Sequence, residues 1–137
     1  MKLGLFVAIA FLGALIPDAA SGARNPTAGE RAGIQQAIFD HFTKAQPTHP
    51  VITGIKLSTK VAGGSLTNYY RKFARVNLFD AGGAGGPAYA LLGYYVTRLS
   101  GWRMLSLGSA AVGCEVAPKI FRGRKRAILH DLKMGCP

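Results

Sequence analysis

Carboxylates are scarce in this chain: six Asp and Glu stand against seventeen Lys and Arg, a formal net charge of +11. Histidine is scarce too, with only His41, His49 and His130, and there are two cysteines, Cys114 and Cys136. These shortages restrict the chemistry available. No HExxH, GxSxG or metal-ligand spacing occurs, so the sequence asks for no metal and no cofactor. Past residue 23 the only carboxylates are Glu30, Asp40, Asp80, Glu115 and Asp131. Asp40 and His41 are sequence neighbours that point to different sides of a helix, as are Asp131 and His130, so neither pair makes a dyad. His41 is expected on the apolar face of its helix. Catalysis is therefore not the first expectation. A small basic ribonuclease needs only two or three such groups on a helix-plus-sheet frame, and stays open as a third choice.

Long apolar runs are also lacking after the first. Leu3 to Ile16 follows Lys2, is shorter than the roughly 20 residues of a membrane span, and ends at Pro17 and Asp18. Ser21-Gly22-Ala23 then fits the small-x-small cleavage rule of an export signal. Residues 1–23 are read as a signal peptide, with an uncleaved anchor as the alternative. Residues 24–137 are then a single secreted or periplasmic α+β domain with one modest core and no later transmembrane segment. Cleavage removes one charge of each sign, Lys2 and Asp18, and leaves the excess intact. Such an excess attracts an anionic surface, whether glycan, lipid headgroup or acidic protein; export disfavours nucleic acid. Solubility alone is the plainer explanation of the charge.

With an oxidising destination, Cys114 and Cys136 are expected to form one disulfide. The loop it closes is worth about 3 kcal/mol in chain-entropy terms. It also contains the densest basic run, Arg122-Gly123-Arg124-Lys125-Arg126, which is thereby pinned to the domain.

Thr27-Ala28-Gly29-Glu30 is a capping-box signature, and Ile34, Ala37, Ile38, His41 and Phe42 follow at helical spacing until Pro47 and Pro50. VITGIKLSTKV, 51–61, alternates as a half-buried strand with Val51, Thr53, Ile55, Leu57, Thr59 and Val61 on one face. Gly63-Gly64 turns the chain. Tyr69 to Phe79 reads as a second strand with Tyr70, Ala74, Val76 and Leu78 on its drier face. The run 81–87 is a loop, lacking the Lys-Ser/Thr and the following helix of a phosphate loop. Ala88 to Leu99 and 102–108, joined at Ser100-Gly101, supply the third and fourth strands. The expected fold is α+β: an N-terminal helix packed on a four-stranded antiparallel meander, with a disulfide-closed, helical C-terminal segment.

As a helix, Lys119 to Met134 would gather Phe121, Ile128, Leu129 and Leu132 on one side and Lys119, Arg122, Arg126, His130 and Lys133 on the other, with Lys125 among the apolar residues. Gly123 would weaken it in the middle. This is either a cationic amphipathic element for an anionic interface or a surface helix with solvated charges. Arg122, Arg124, Lys125, Arg126 and Lys133 are the main candidate contacts, with Arg71, Lys72 and Arg75 as a second patch. Tyr69, Arg71, Phe73 and Arg75 on one strand face would also make a stacking platform for nucleic acid.

The element order resembles the cystatin-like fold, and more distantly the nuclear-transport-factor-like folds. Cystatins carry Gln-x-Val-x-Gly in the hairpin after the first strand, where this chain has Thr59-Lys60-Val61-Ala62-Gly63, and Pro-Trp in a second hairpin, where it has Gly101-Trp102. The resemblance covers residues 27–108; Thr59 and Gly101 depart from the motifs, and nothing in cystatins matches 114–137. It implies a cysteine protease inhibitor with Val61, Ala62, Gly63 and Trp102 in the inhibitory hairpins. The first expectation remains a secreted or periplasmic protein that binds anionic molecules through a cationic surface.

Overall fold

The computed structural model describes residues 22–45, 50–61, 69–80 and 86–136. The first element is the helix α1, Ala28–Ala45. Its start is capped as the sequence implies, with one difference. The Glu30 amide donates to Thr27 Oγ1 at 3.2 Å, but the Glu30 carboxylate accepts from the Thr27 hydroxyl and from Arg24 instead of reaching the Thr27 amide. Ile34, Ile38 and Phe42, one turn apart, form the buried stripe. His41 falls outside that stripe: it is exposed, with its ring edge on Phe42 at 5.1 Å.

Four strands follow in a meander, β1 (Val51–Leu57), β2 (Tyr69–Phe79), β3 (Pro87–Val96) and β4 (Gly101–Gly108), antiparallel throughout and adjacent in sequence order. The α+β architecture expected from the sequence is the one observed. Each strand pairing contains one register shift, and these shifts decide which residues face which way. In β1, Ile52 pairs with Leu78 and Gly54 with Asn77, so Thr53 is the extra residue. Ile52 therefore turns inward with Ile55 and Leu57, and Val51, expected on the inner face, is 60% exposed. β1 also ends at Leu57, not Val61: Ser58 still donates its amide to the Phe73 carbonyl of β2, but the Thr59 amide turns to Asp131.

In β2 the extra residue is Arg71, between Tyr70 paired with Tyr95 and Lys72 paired with Tyr94. The bulge sends Tyr70 to the opposite face from Ala74, Val76 and Leu78, correcting the face expected for it. It also separates Tyr69, Arg71, Phe73 and Arg75, which share no common exposed face. Phe73 is wholly buried, so the stacking platform read from the sequence is not offered to solvent.

Both faces of the sheet are covered. Under α1 lie Ile55, Leu57, Ala74, Val76, Leu78, Ala90 and Leu92, with Trp102 and Met104 at the margin. The other face carries Phe73 and Leu91 against Val112, Phe121, Ile128, Leu129, Leu132 and Met134 of the C-terminal segment. Each fully buried large aliphatic or aromatic side chain is worth about 1.5–3 kcal/mol, so this second cluster makes the segment an integral layer.

That segment is less helical than its periodicity suggests. A single 3-10 turn, Pro118–Phe121, is followed by Arg122 and Gly123 at positive φ, 49° and 82°, and then by α2, Lys125–Asp131. The weak point foreseen at Gly123 is a real break. The disulfide Cys114–Cys136 closes the segment, with Cα atoms 5.5 Å apart.

Candidate functional site

The C-terminal layer is held by polar groups as well as by its core. Asp131, only 7% exposed, accepts at Oδ2 from Ser58 Oγ (2.6 Å), from the Thr59 amide (2.8 Å) and from Thr59 Oγ1 (3.2 Å). Lys125, half-buried, donates from Nζ to the carbonyls of Cys114 and Val116, both at 2.7 Å. Arg75 donates from Nη1 to the carbonyls of Leu132 and Lys133, capping the end of α2, and its guanidinium lies 4.4 Å from the centre of the Tyr89 ring. Lys125 and Arg75 thus act as internal braces.

The remaining basic residues of the tract face water. Lys119, Arg122, Arg124, Arg126, His130 and Lys133 are all exposed, while Phe121, Ile128, Leu129 and Leu132 beneath them are buried. Arg71 is exposed at its bulge, but Lys72 lies on the α1 face near Glu30, apart from the tract. His41 and His130 sit on elements that cover opposite faces of the sheet, and His49 lies outside the described residues.

The carboxylates are turned to internal work. Asp131 is occupied as described. Burial raises the Glu30 carboxyl, but Arg24 at 3.0 Å and the charge of Lys72 outweigh that and hold it below its ordinary value. Glu115 accepts from the Ser106 hydroxyl, whose hydrogen bond, with its own backbone amide, also lowers it. Asp40 accepts from Gln36 at 2.8 Å. The exposed cations of the C-terminal layer are therefore set on a surface where few negative charges compete.

Clefts open to solvent among the described residues include three with charged linings. One of about 640 Å³ runs beside β1 and includes Arg31, Lys56, Arg75 and Lys133, but also Asp131. A second, about 490 Å³, separates α1 from the β3–β4 turn and carries Glu30, Asp40, Lys72, Tyr94 and Trp102. The third, about 430 Å³, is lined by Tyr69, Tyr70, Tyr95, Arg103, Lys119, Ile120 and Arg122, with no carboxylate among them.

No family model matches this chain, and no curated protein or solved structure does. Of the residues placed in the inhibitory hairpins by resemblance, Val61 is 46% exposed, and Ala62 and Gly63 lie outside the described residues. Trp102 is half-buried, edge-on to Tyr94 at 5.4 Å and against Gly33 of α1, where even a methyl group would stand 2.8 Å from the indole. The disulfide is compatible with a secreted or periplasmic protein, and no described helix is long and apolar enough to cross a membrane.

Tyr95, Arg103 and Lys119 of the third cleft were not among the site residues read from the sequence. One signal was available: Gly93, an isolated glycine in a strand, a common mark of close approach by another group.

Proposed function

We propose that this is an exported, non-enzymatic binding protein that engages anionic molecules of a cell envelope through the exposed cations of its C-terminal layer. One observation supports this above the others. Arg122, Arg124, Arg126, Lys119 and Lys133 stand exposed on a layer fixed by a core, a disulfide and the Asp131 hydrogen bonds, while Glu30, Glu115 and Asp131 are engaged elsewhere. A fixed array of like charge is maintained against its own repulsion, and its natural complement is a surface of opposite charge. Lys125 and Arg75 have structural roles in this reading, and Arg71 stands at the β2 bulge, outside the C-terminal layer.

Co-sedimentation with vesicles of phosphatidylglycerol in phosphatidylcholine tests it. Binding is expected at low salt and to fall steeply toward physiological salt. The combined variant R122Q/R124Q/R126Q should lose most of it while keeping the far-UV dichroism of the parent and a melting temperature no lower than the parent's. Vesicle binding that ignores both salt and the triple substitution would overturn the reading.

A further inference from the structure

The third cleft differs from its neighbours in how its cations are held. The Arg103 guanidinium carbon lies 4.1 Å from the centre of the Tyr95 ring, and that of Arg122 lies 5.5 Å from the centre of Tyr69. At 4.1 Å the Arg103 guanidinium meets its ring through its flat face, which leaves its hydrogen-bond donors in the plane, directed sideways. Stacking also removes rotamer freedom in advance, so less is lost when an oxyanion is gripped. Lys119 adds a third positive charge.

The floor is as deliberate as the walls. Tyr70 and Tyr95 are cross-strand partners with ring centres 4.9 Å apart. Tyr70 lies over Gly93, where any Cβ would overlap its ring and crowd Leu105. The Arg71 bulge turns Tyr70 to this face in the first place. Three structural devices (a bulge, a side-chain-free strand position and two arginines over tyrosine rings) converge on one cleft. Ile120 completes an apolar and aromatic lining behind the cations.

From this geometry we infer that the cleft formed by Tyr69, Tyr70, Tyr95, Arg103, Lys119 and Arg122 is a specific site for a phosphomonoester carried on a sugar-sized body. Three cations without a carboxylate match a dianion better than a monoanion, and a phosphomonoester carries about −1.5 to −2 at neutral pH. Planar guanidinium edges match phosphate geometry. A volume of about 430 Å³ exceeds what a bare phosphate occupies, leaving room for a body against the tyrosines and Ile120. The flanking clefts contain Asp131, or Glu30 and Asp40, which would repel the same ligand. The site rests on the anionic-binding reading above and gives it chemical selectivity.

Isothermal titration with glucose 6-phosphate, inorganic phosphate and glucose tests the site. Glucose 6-phosphate is expected to bind more tightly than phosphate, and glucose not at all. Its affinity should rise as pH passes upward through about 6, where the second phosphate proton leaves. R103Q, and R103K with its charge kept but its fork lost, should each weaken binding about tenfold or more. Both should bind phosphatidylglycerol vesicles as the parent does, since Arg103 lies outside the 122–126 tract. Y70A should lose the advantage of glucose 6-phosphate over phosphate. Displacement by phosphatidic acid vesicles identifies a lipid headgroup as the source, and its absence a soluble ligand. Equal affinity for glucose 6-phosphate and glucose, or parental affinity in R103Q, would overturn the site even if vesicle binding stands. Conversely, loss of vesicle binding with glucose 6-phosphate still bound would remove the broad surface reading and keep the cleft.

Discussion

At Glu30 a single carboxylate joins Arg24 of the leading segment to the start of α1. Arg24 also pairs by its backbone with Leu57, both bonds at 2.8 Å, so the ion pair ties helix, leading segment and β1 together. Because Glu30 titrates below its ordinary value when folded, its contribution is fully present above the ordinary glutamate range near 4.3 and is lost as pH falls through the folded value. Glu30→Gln should therefore lower the melting temperature at neutral pH, and the gap from the parent should close as the buffer is taken below about pH 4. Thermal melts across that range check it, and a gap that widens on acidification would contradict the sign. Thr27-x-x-Glu30 was legible as a helix start; the participation of Arg24 was not, because it belongs to a segment with no periodicity to place it.

Among the elements, those with strong local patterns were readable and those set by register were not. Ile34, Ile38 and Phe42 announce α1 by spacing alone, and the meander order follows from short connections between alternating strands. Thr53 and Arg71 could not be recognised as bulges, since a bulge is a mismatch between two strands and neither strand contains it alone. That is why Val51 and Tyr70 were assigned to the wrong faces. The C-terminal layer shows the same division. Phe121, Ile128, Leu129 and Leu132 are visible as an apolar set, but the face they cover is fixed by long-range partners such as Ser58 and Thr59 on Asp131. Asp131→Ala would leave the buried Ser58 hydroxyl and the Thr59 amide without their acceptor, at a cost of about 2–3 kcal/mol. Asp40→Ala on the exposed side of α1 should change stability by less than about 0.5 kcal/mol. Urea denaturation of both variants measures the difference. Equal midpoints would mean that the layer docks without the Asp131 contacts.

Over the whole molecule, charge and stability oppose each other. A net +11 on a chain of this size raises the energy of the compact state by self-repulsion. The internal use of Glu30, Glu115 and Asp131 leaves the basic tract with little local compensation. Added salt has two effects. It weakens the Arg24–Glu30 pair, a contact on the order of 1 kcal/mol or less where partly exposed, and it screens the repulsion among all the surface cations. Repulsion among so many like charges outweighs the Arg24–Glu30 pair, so the melting temperature should rise as sodium chloride is raised from low to physiological concentration. R122Q/R124Q/R126Q, with three of the cations removed, should start higher at low salt and respond less. The same arginines proposed to weaken vesicle binding when lost should thus strengthen the fold when lost, and differential scanning fluorimetry across a salt series reads both slopes. A melting temperature that falls with salt in the parent would show that the tract is already neutralised within the protein, and would remove the electrostatic basis for its binding role.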